Sequence, residues 1–342
     1  MKDLLLIAEA GVNHEGSMRT AEKLIQDIAK SGCNIVKFQT YKADKIVTKD
    51  ASAYWDTKSE NTINQHNLFS KYDTFGKQNF EKLKEIANHH GLEFMTTFFD
   101  VEAIHEMQYL VSRFKVASAD LNNFHLLKTL AYYKKPMILS TGASTINEVT
   151  RSVDYLQSLE VQDIAILHCV LRYPTEMEHA SLNRIKQLQA TFPNLKIGIS
   201  DHSKPNSSFS VLTTAYILGA KIIEKHFTND KNLKGNDHYH SFDKDDFIKL
   251  RTELQTIDRI LEYTEKSFLK SQELAIKNAR RGIYFKKDLP HGHIISEEDL
   301  IALRPSNNAK PEDFYRMIGL KLNRDVVQGE SFEFSKTNLE YF

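Results

Sequence analysis

The chain of 342 residues carries 45 basic and 45 acidic side chains, so its formal charge is zero, and neither sign is gathered into a block. That balance gives no electrostatic case for binding nucleic acid or an anionic membrane, although a local pocket for a small anion stays open. The length allows one domain of about 250 residues with a sizeable core, plus a small second one.

The opening "MKDLLLIAEAG" has too short an apolar stretch for a signal peptide, and no run approaches a transmembrane span. Cys33 and Cys169 sit inside the apolar runs "SGCNIVKF" and "IAILHCVL" and read as small core residues of a reducing compartment, not a disulfide pair. A cytoplasmic location is expected.

Short apolar, β-branched runs then follow one another: "LLLIAEA" (4–10), "NIVKFQT" (34–40), "EFMTTFF" (93–99), "FKVAS" (114–118), "PMILST" (136–141), "IAILHC" (164–169), "KIGIS" (196–200) and "KIIEKHF" (221–227). Segments such as "RTAEKLIQDIAKSG" and "NFEKLKEIANHHG" lie between them, with apolar residues at helical spacing and Gly at the end. Strands alternating with helices, and apolar throughout, predict a parallel sheet buried on both faces. Eight such units within about 230 residues predict an α/β fold of the TIM (β/α)8 barrel type. A doubly wound sheet is the rival, but the first turn, "GVNHEGS", lacks the G-x-G-x-x-G pattern.

A barrel keeps its chemistry at the C-terminal ends of its strands. Those ends read Glu9, Asn13 and His14; Lys37 and Gln39; Thr97; Lys115, Ser118 and Asp120; Ser140 and Thr141; His168 and Tyr173; Ser200, Asp201 and His202; and His226. Lys37 and Lys115 lie within strands, where an unpaired ammonium is costly. Among Thr97, Ser118, Ser140 and Ser200 they make a cradle for phosphate or carboxylate. Pairing with a core carboxylate and Schiff-base catalysis are the other readings. His202 and His226 close the seventh and eighth strands, neighbours in a closed barrel, and two imidazoles with open positions suit a divalent metal acting as a Lewis acid. Asp201 and Glu224 are expected on the other faces of their strands. His14, His89, His90, His105 and His240 are expected mostly at the surface.

After a helical stretch at about 243–278 the βα period stops. The remainder reads as a compact module of about 60 residues with short strands and one-turn helices. Its segments "KKDLPHGHIISEEDL" and "NRDVVQGESFEFS" echo each other and predict an internal repeat. The division expected is a barrel over 1–265, a linker over 266–278 and a β-rich module over 279–338.

Together "IAEAGVNHEGS", "IVKFQTYKAD", "FKVASAD", "ILSTGAS", "LHCVLRYPT", "GISDHS" and "IEKHFT" resemble the sialic acid synthase family, and "RRGIYFKKDLPHGHIISEEDLIALRP" is similar to its antifreeze-like (SAF, β-clip) C-terminal domain. The resemblance covers almost the whole chain. It implies condensation of phosphoenolpyruvate with an N-acetylmannosamine-type aldehyde and water, giving a nine-carbon 2-keto sugar acid and phosphate. It implies phosphoenolpyruvate binding by Lys37, Thr97, Lys115, Ser118, Ser140 and Ser200, and a divalent metal, usually Mn2+, on His202 and His226. Glu9, Gln39, Tyr173 and Asp237 match positions close to the sugar or the reacting atoms, and Asp120 stands where a glutamate is frequent, as a candidate for the water's proton. Catalytic roles are thereby expected for Glu9, Lys115, Asp120 and Asp237. Arg304 matches an arginine near the sugar, in a module that reaches the partner's barrel in a homodimer.

Three departures from that pattern bear on the acceptor: Leu171 where a polar residue is common, "TTFFD" for "STPFD", and extra histidines in "KGNDHYHSFD" (234–243). Two other classes of function are distinguishable. A Schiff-base barrel aldolase would take pyruvate, and a non-enzymatic carbohydrate- or ice-binding protein would release no phosphate.

Overall fold

A computed structural model describes residues 3–205, 209–235, 237–306 and 309–332. Eight strands close into a barrel in sequence order. They are β1 (Leu5–Gly11), β2 (Ile35–Thr40), β3 (Glu93–Phe98), β4 (Phe114–Val116), β5 (Met137–Ser140), β6 (Ile164–Cys169), β7 (Lys196–Asp201) and β8 (Ile222–His226). All neighbours are parallel, and β8 returns to β1 with His226 opposite Glu9. β4, β5 and β8 are each two residues shorter than their apolar runs, and at β4 the reason is that Ser118–Asp120 coils into a 3-10 turn.

The helices form for local reasons and bury one stripe each. Helix Met18–Ser31 starts where the Ser17 hydroxyl accepts from Thr20 N and ends at Gly32 in the left-handed region. Its buried residues Ala21, Leu24, Ile25 and Ile28 keep helical spacing and pack against the strands. A separate, smaller core fills the barrel: Ile7, Ile35, Met95, Ile138, Ala165, Leu167 and Ile222 form its apolar floor. Gly198 belongs to this layer by necessity, since a Cβ there would stand 2.3 Å from the Ile222 carbonyl oxygen.

Strand parity carries this floor directly into a polar layer. Two residues beyond Ile7, Ile35, Met95, Ile138 and Ile222 come Glu9, Lys37, Thr97, Ser140 and Glu224. Cross-strand register sets Glu9 opposite Lys37, Thr97 opposite Lys115, and Ser200 opposite Glu224. The outward face is closed differently. Lys225, fully buried, pairs with Asp201 at 2.7 Å and lies 5.0 Å from the Phe242 ring centroid. Asp201 therefore does point away from the barrel interior, as expected, whereas Glu224 points into it.

The chain divides into two compact units, Met1–Ile260 and Leu261–Phe342. The helical stretch expected over 243–278 is three helices, Lys244–Leu261, Glu265–Ser271 and Glu273–Asn278. Thr264 leaves the helical conformation and its hydroxyl caps the next helix by accepting from Ser267 N. In the second unit β9 (Gly282–Phe285) pairs antiparallel with β10 (Leu300–Leu303) over a core that includes Ile283, Phe285, Met317, Leu322 and Phe332. The internal repeat is structural. Leu289 and Val326 exchange backbone hydrogen bonds of 2.9 Å, while Asp288 accepts from Gln328 N and Asp325 from His291 N, both at 2.7 Å. Residues 333–338 of the expected module lie outside the described residues. Among the described residues no helix is long and apolar enough to cross a membrane.

Candidate active site

The polar layer above the barrel floor is a charge-balanced cluster. Lys37 Nζ stands 2.7 Å from Glu9 Oε2 and donates to Thr97 Oγ1 at 3.3 Å. Lys115 Nζ donates to Ser140 Oγ at 2.7 Å. Glu224 Oε1 lies 3.7 Å from Lys37 Nζ and 3.6 Å from Lys115 Nζ, and accepts from Ser200 Oγ at 3.1 Å. The expectation that Glu224 faces away is thus overturned: it shares parity with His226 and must share its face. Both lysines are paired with carboxylates and both line an open chamber with Thr97, Ser118, Ser140 and Ser200. Burial would raise the Glu224 carboxyl, but Lys115, Lys37 and Ser200 together bring it below its ordinary value. Burial lowers the Lys115 ammonium in spite of Glu224. For Lys37 the two carboxylates outweigh burial, and its pKa rises.

At the mouth of this layer His202 and His226 approach with ring centroids 5.3 Å apart. His202 Nδ1 is 3.0 Å from the Val170 carbonyl, which can only accept, so Nδ1 carries the hydrogen and Nε2 the lone pair of the neutral ring. Burial depresses His202 to about 4 and His226 well below its usual value, so both rings are neutral near pH 7. His240, expected at the surface, is fully buried here, 4.9 Å from His226 by ring centroids. Neither of its nitrogens, nor His226 Nδ1, has a hydrogen-bond partner among the described residues. Asp237 lies 3.4 Å from His226 Nδ1 and 3.7 Å from His240 Nε2. Burial, then Glu9, raises its carboxyl to about 7. Potential ligand atoms of His226, Asp237 and His240 all fall within 4.8 Å of one another, whereas His202 stands outside that trio. Neutral imidazoles beside a carboxylate, with buried lone pairs lacking partners, fit a divalent metal.

A second chamber opens beyond the first. Gln39, Tyr41, Tyr54, Phe69, Tyr173 and His226 line both. Gln39 Nε2 donates to Glu9 Oε1 at 2.8 Å, which ties the wall between them to the charged layer. The outer walls come mostly from residues 41–76, which join β2 to the helix Lys77–His89 and contribute Trp55, Leu68 and Tyr72. Sequence reasoning passed over this wall. Its signal was a connection far longer than the 2–6 residues usual in a βα unit, and rich in aromatics.

The other expected residues lie in different surroundings. Asp120 lines neither chamber; its Oδ1 accepts from Asn123 at 3.1 Å, and burial raises its carboxyl. His14 is buried, against the surface expectation, stacked on Phe75 at 4.2 Å, while His89, His90 and His105 are exposed. His168 turns outward to the Ala180 carbonyl at 2.7 Å. Arg304 is exposed on the second unit. Leu171 lines the inner chamber, so the departure there is an apolar wall.

Residues 24–266 match the NeuB family, and residues 280–336 match the SAF domain. The chain is 34% identical over 333 residues to N,N'-diacetyllegionaminic acid synthase of Legionella pneumophila, covering 95% of this chain and 92% of that protein. The enzyme of the same name from Campylobacter jejuni is 33% identical over 335 residues, 96% of this chain and 99% of that one. A crystal structure of the sialic acid synthetase of Leptospira borgpetersenii with citrate superposes with a TM-score of 0.69 at 31% identity, over 80% of this chain and 91% of that one. Barrel and C-terminal module agree with these matches: the chain belongs to the NeuB family of sialic acid synthases, with a C-terminal SAF domain.

Proposed function

We propose that this chain condenses phosphoenolpyruvate with an amino-sugar aldehyde and water, giving a nine-carbon 2-keto sugar acid and phosphate. One observation carries the reading: a hydroxyl-lined chamber holding two lysines and an aromatic chamber meet at Gln39, Tyr173 and His226, as a two-substrate condensation requires.

Lys37 and Lys115, with Thr97, Ser118, Ser140 and Ser200, bind the phosphate and carboxylate of phosphoenolpyruvate. Glu9 and Glu224 hold the two ammonium groups in place before it arrives. The enol carbon C3 forms the new bond to the aldehyde carbon, water adds at C2, and departure of phosphate leaves the ketone. A divalent metal, Mn2+ by the family resemblance, would be held by His202 and His226 with Asp237 and His240 beside them; when bound it stabilises negative charge on the aldehyde oxygen. Asp237, whose carboxyl burial raises to about 7 in the metal-free protein, stands beside His226 and His240. Gln39 and Tyr173 orient the sugar between the chambers. Asp120 lines neither chamber, so the proton of the attacking water is not assigned to it. A subunit partner contributes Arg304 of its SAF domain to the sugar.

The test is phosphate release from phosphoenolpyruvate with amino-sugar aldehydes and Mn2+, with the 2-keto acid identified by mass. No release with any such sugar would overturn the reading. One observation favours a second mechanism: Lys115 is a buried amine whose pKa is lowered, as Schiff-base lysines are. Borohydride trapping of pyruvate on Lys115 would select that mechanism instead.

A further inference from the structure

The inward parity of β2 continues past the end of the strand. Lys37 and Gln39 face the barrel interior, and Tyr41 is the next residue of that parity. It borders both chambers and is 6% exposed. Its ring is held edge-on by two neighbours, Phe69 with centroids 5.6 Å apart and Phe99 at 6.0 Å and 87°. Tyr54 and Tyr173 also border both chambers. Of the three, only the Tyr41 hydroxyl is fully buried with no hydrogen-bond partner among the described residues. Tyr239, in the wall of the outer chamber, is the contrast: its hydroxyl donates to the Tyr173 carbonyl at 3.2 Å.

A buried phenol without a partner destabilises the fold, because its hydration is lost and nothing replaces it. Phenylalanine would fill the same space between Phe69 and Phe99 without that loss, so packing does not account for the oxygen. Burial, and then Asp237 and Asp73, push the phenol above its ordinary value. The group therefore stays O–H, with one hydrogen bond to donate. Phosphoenolpyruvate has its own donors in the two lysines and the strand-end hydroxyls of the inner chamber. The sugar is the substrate that extends from one chamber into the other. We propose that Tyr41 is a further substrate-contacting residue of the condensation, its hydroxyl donating to an oxygen of the acceptor sugar where the two chambers meet. Fold stability is given up at this position for binding, as is common at functional sites. The assignment rests on the function proposed above, but its test separates the two.

Tyr41→Phe removes one oxygen and keeps the ring, so stability and binding should part company. The ligand-free variant is expected to melt no lower than wild type, and up to ~4 °C higher, as removal of an unsatisfied buried group allows. Tyr239→Phe breaks a bond made within the fold and should lower the Tm by ~2 °C or more. Trp55 is the one tryptophan in the sequence and lines the outer chamber, so its fluorescence reports occupation without turnover. N-acetylmannosamine and a 2,4-diacetamido-trideoxy hexose are each titrated into the full-length protein with Mn2+, with phosphate release from phosphoenolpyruvate measured in parallel. The Kd of the sugar that binds should rise ~5-fold or more in Tyr41→Phe, the scale of one neutral hydrogen bond. The KM for phosphoenolpyruvate should stay within ~2-fold, because that substrate does not use the phenol. A Tm for Tyr41→Phe that falls as far as that of Tyr239→Phe makes the hydroxyl structural and overturns the inference. Equal sugar affinity in wild type and variant overturns it too, as does failure of both sugars to bind wild type. Weakened sugar binding in the variant, with no phosphate release from either protein, leaves this inference standing and sinks the condensation.

Discussion

His226 and His240 face each other with ring centroids 4.9 Å apart, and Asp237 reaches both rings from one side. The two histidines come from different places, one ending β8 and the other closing the short turn His238–His240. That turn is tied down by Asn13, whose amide donates to the Phe227 carbonyl at 2.9 Å and to Ser241 Oγ at 3.1 Å. The trio is therefore built before any ligand arrives. Chelation should abolish activity and Mn2+ restore it. His202→Ala and His226→Ala should each remove most of the rate while circular dichroism is unchanged. His240→Ala should weaken Mn2+ binding, read by electron paramagnetic resonance, by ~10-fold or more, the scale seen when the surroundings of a metal ligand are altered. Full activity after rigorous metal removal would end the metal assignment.

Lys115 and Glu224 test the anion cradle. Lys115→Ala removes the ammonium that donates to Ser140 and faces Glu224. The KM for phosphoenolpyruvate should rise ~10-fold or more, with the sugar KM changed far less, as expected for loss of one charge-assisted contact to one substrate. Equal effects on both substrates, or on neither, would make this lysine structural.

The buried histidines make the fold sensitive to acid. Burial lowers His14 to about 4 from an ordinary 6.5. A base depressed on folding stabilises the native state above its unfolded value, and that contribution is lost as pH falls towards the folded value. Between pH 6.5 and about 4 the shift is worth up to ~3 kcal/mol for His14. Urea midpoints of the metal-free protein should therefore fall as pH drops through this window, and His14→Gln should flatten the slope. A slope unchanged in the variant would show that His14 does not titrate there.

Arg304 tests the shared site that the family resemblance implies. An Arg304→Ala chain and a His202→Ala chain, each inactive alone, should regain activity when mixed. In the mixed dimer one barrel keeps His202 and receives an intact Arg304 from its partner. Mixing two inactive proteins should give nothing if each chain builds its site alone.

The amino-acid sequence by itself determined the barrel, because eight apolar runs alternating with helical stripes have one economical closure, and period-two alternation is a local property of each strand. It also determined most of the charged layer: Lys37, Lys115, Thr97, Ser140 and Ser200 stand where strand ends demand polar side chains. Glu224 was legible by the same parity from His226. The aromatic wall and His240 were not, because they lie on connections whose direction depends on packing against distant segments. Residues 41–76 carry the wall, but contacts with distant segments, such as Tyr54 with Tyr173 and Phe75 with His14, turn it towards the site. His240 lies three residues past Asp237, and non-local contacts fold that turn inward, among them Asn13 to Ser241, 228 residues apart, and Tyr239 to the Tyr173 carbonyl. The tertiary structure decided these because a loop has no period of its own: its side chains face wherever non-local contacts leave the lowest free energy.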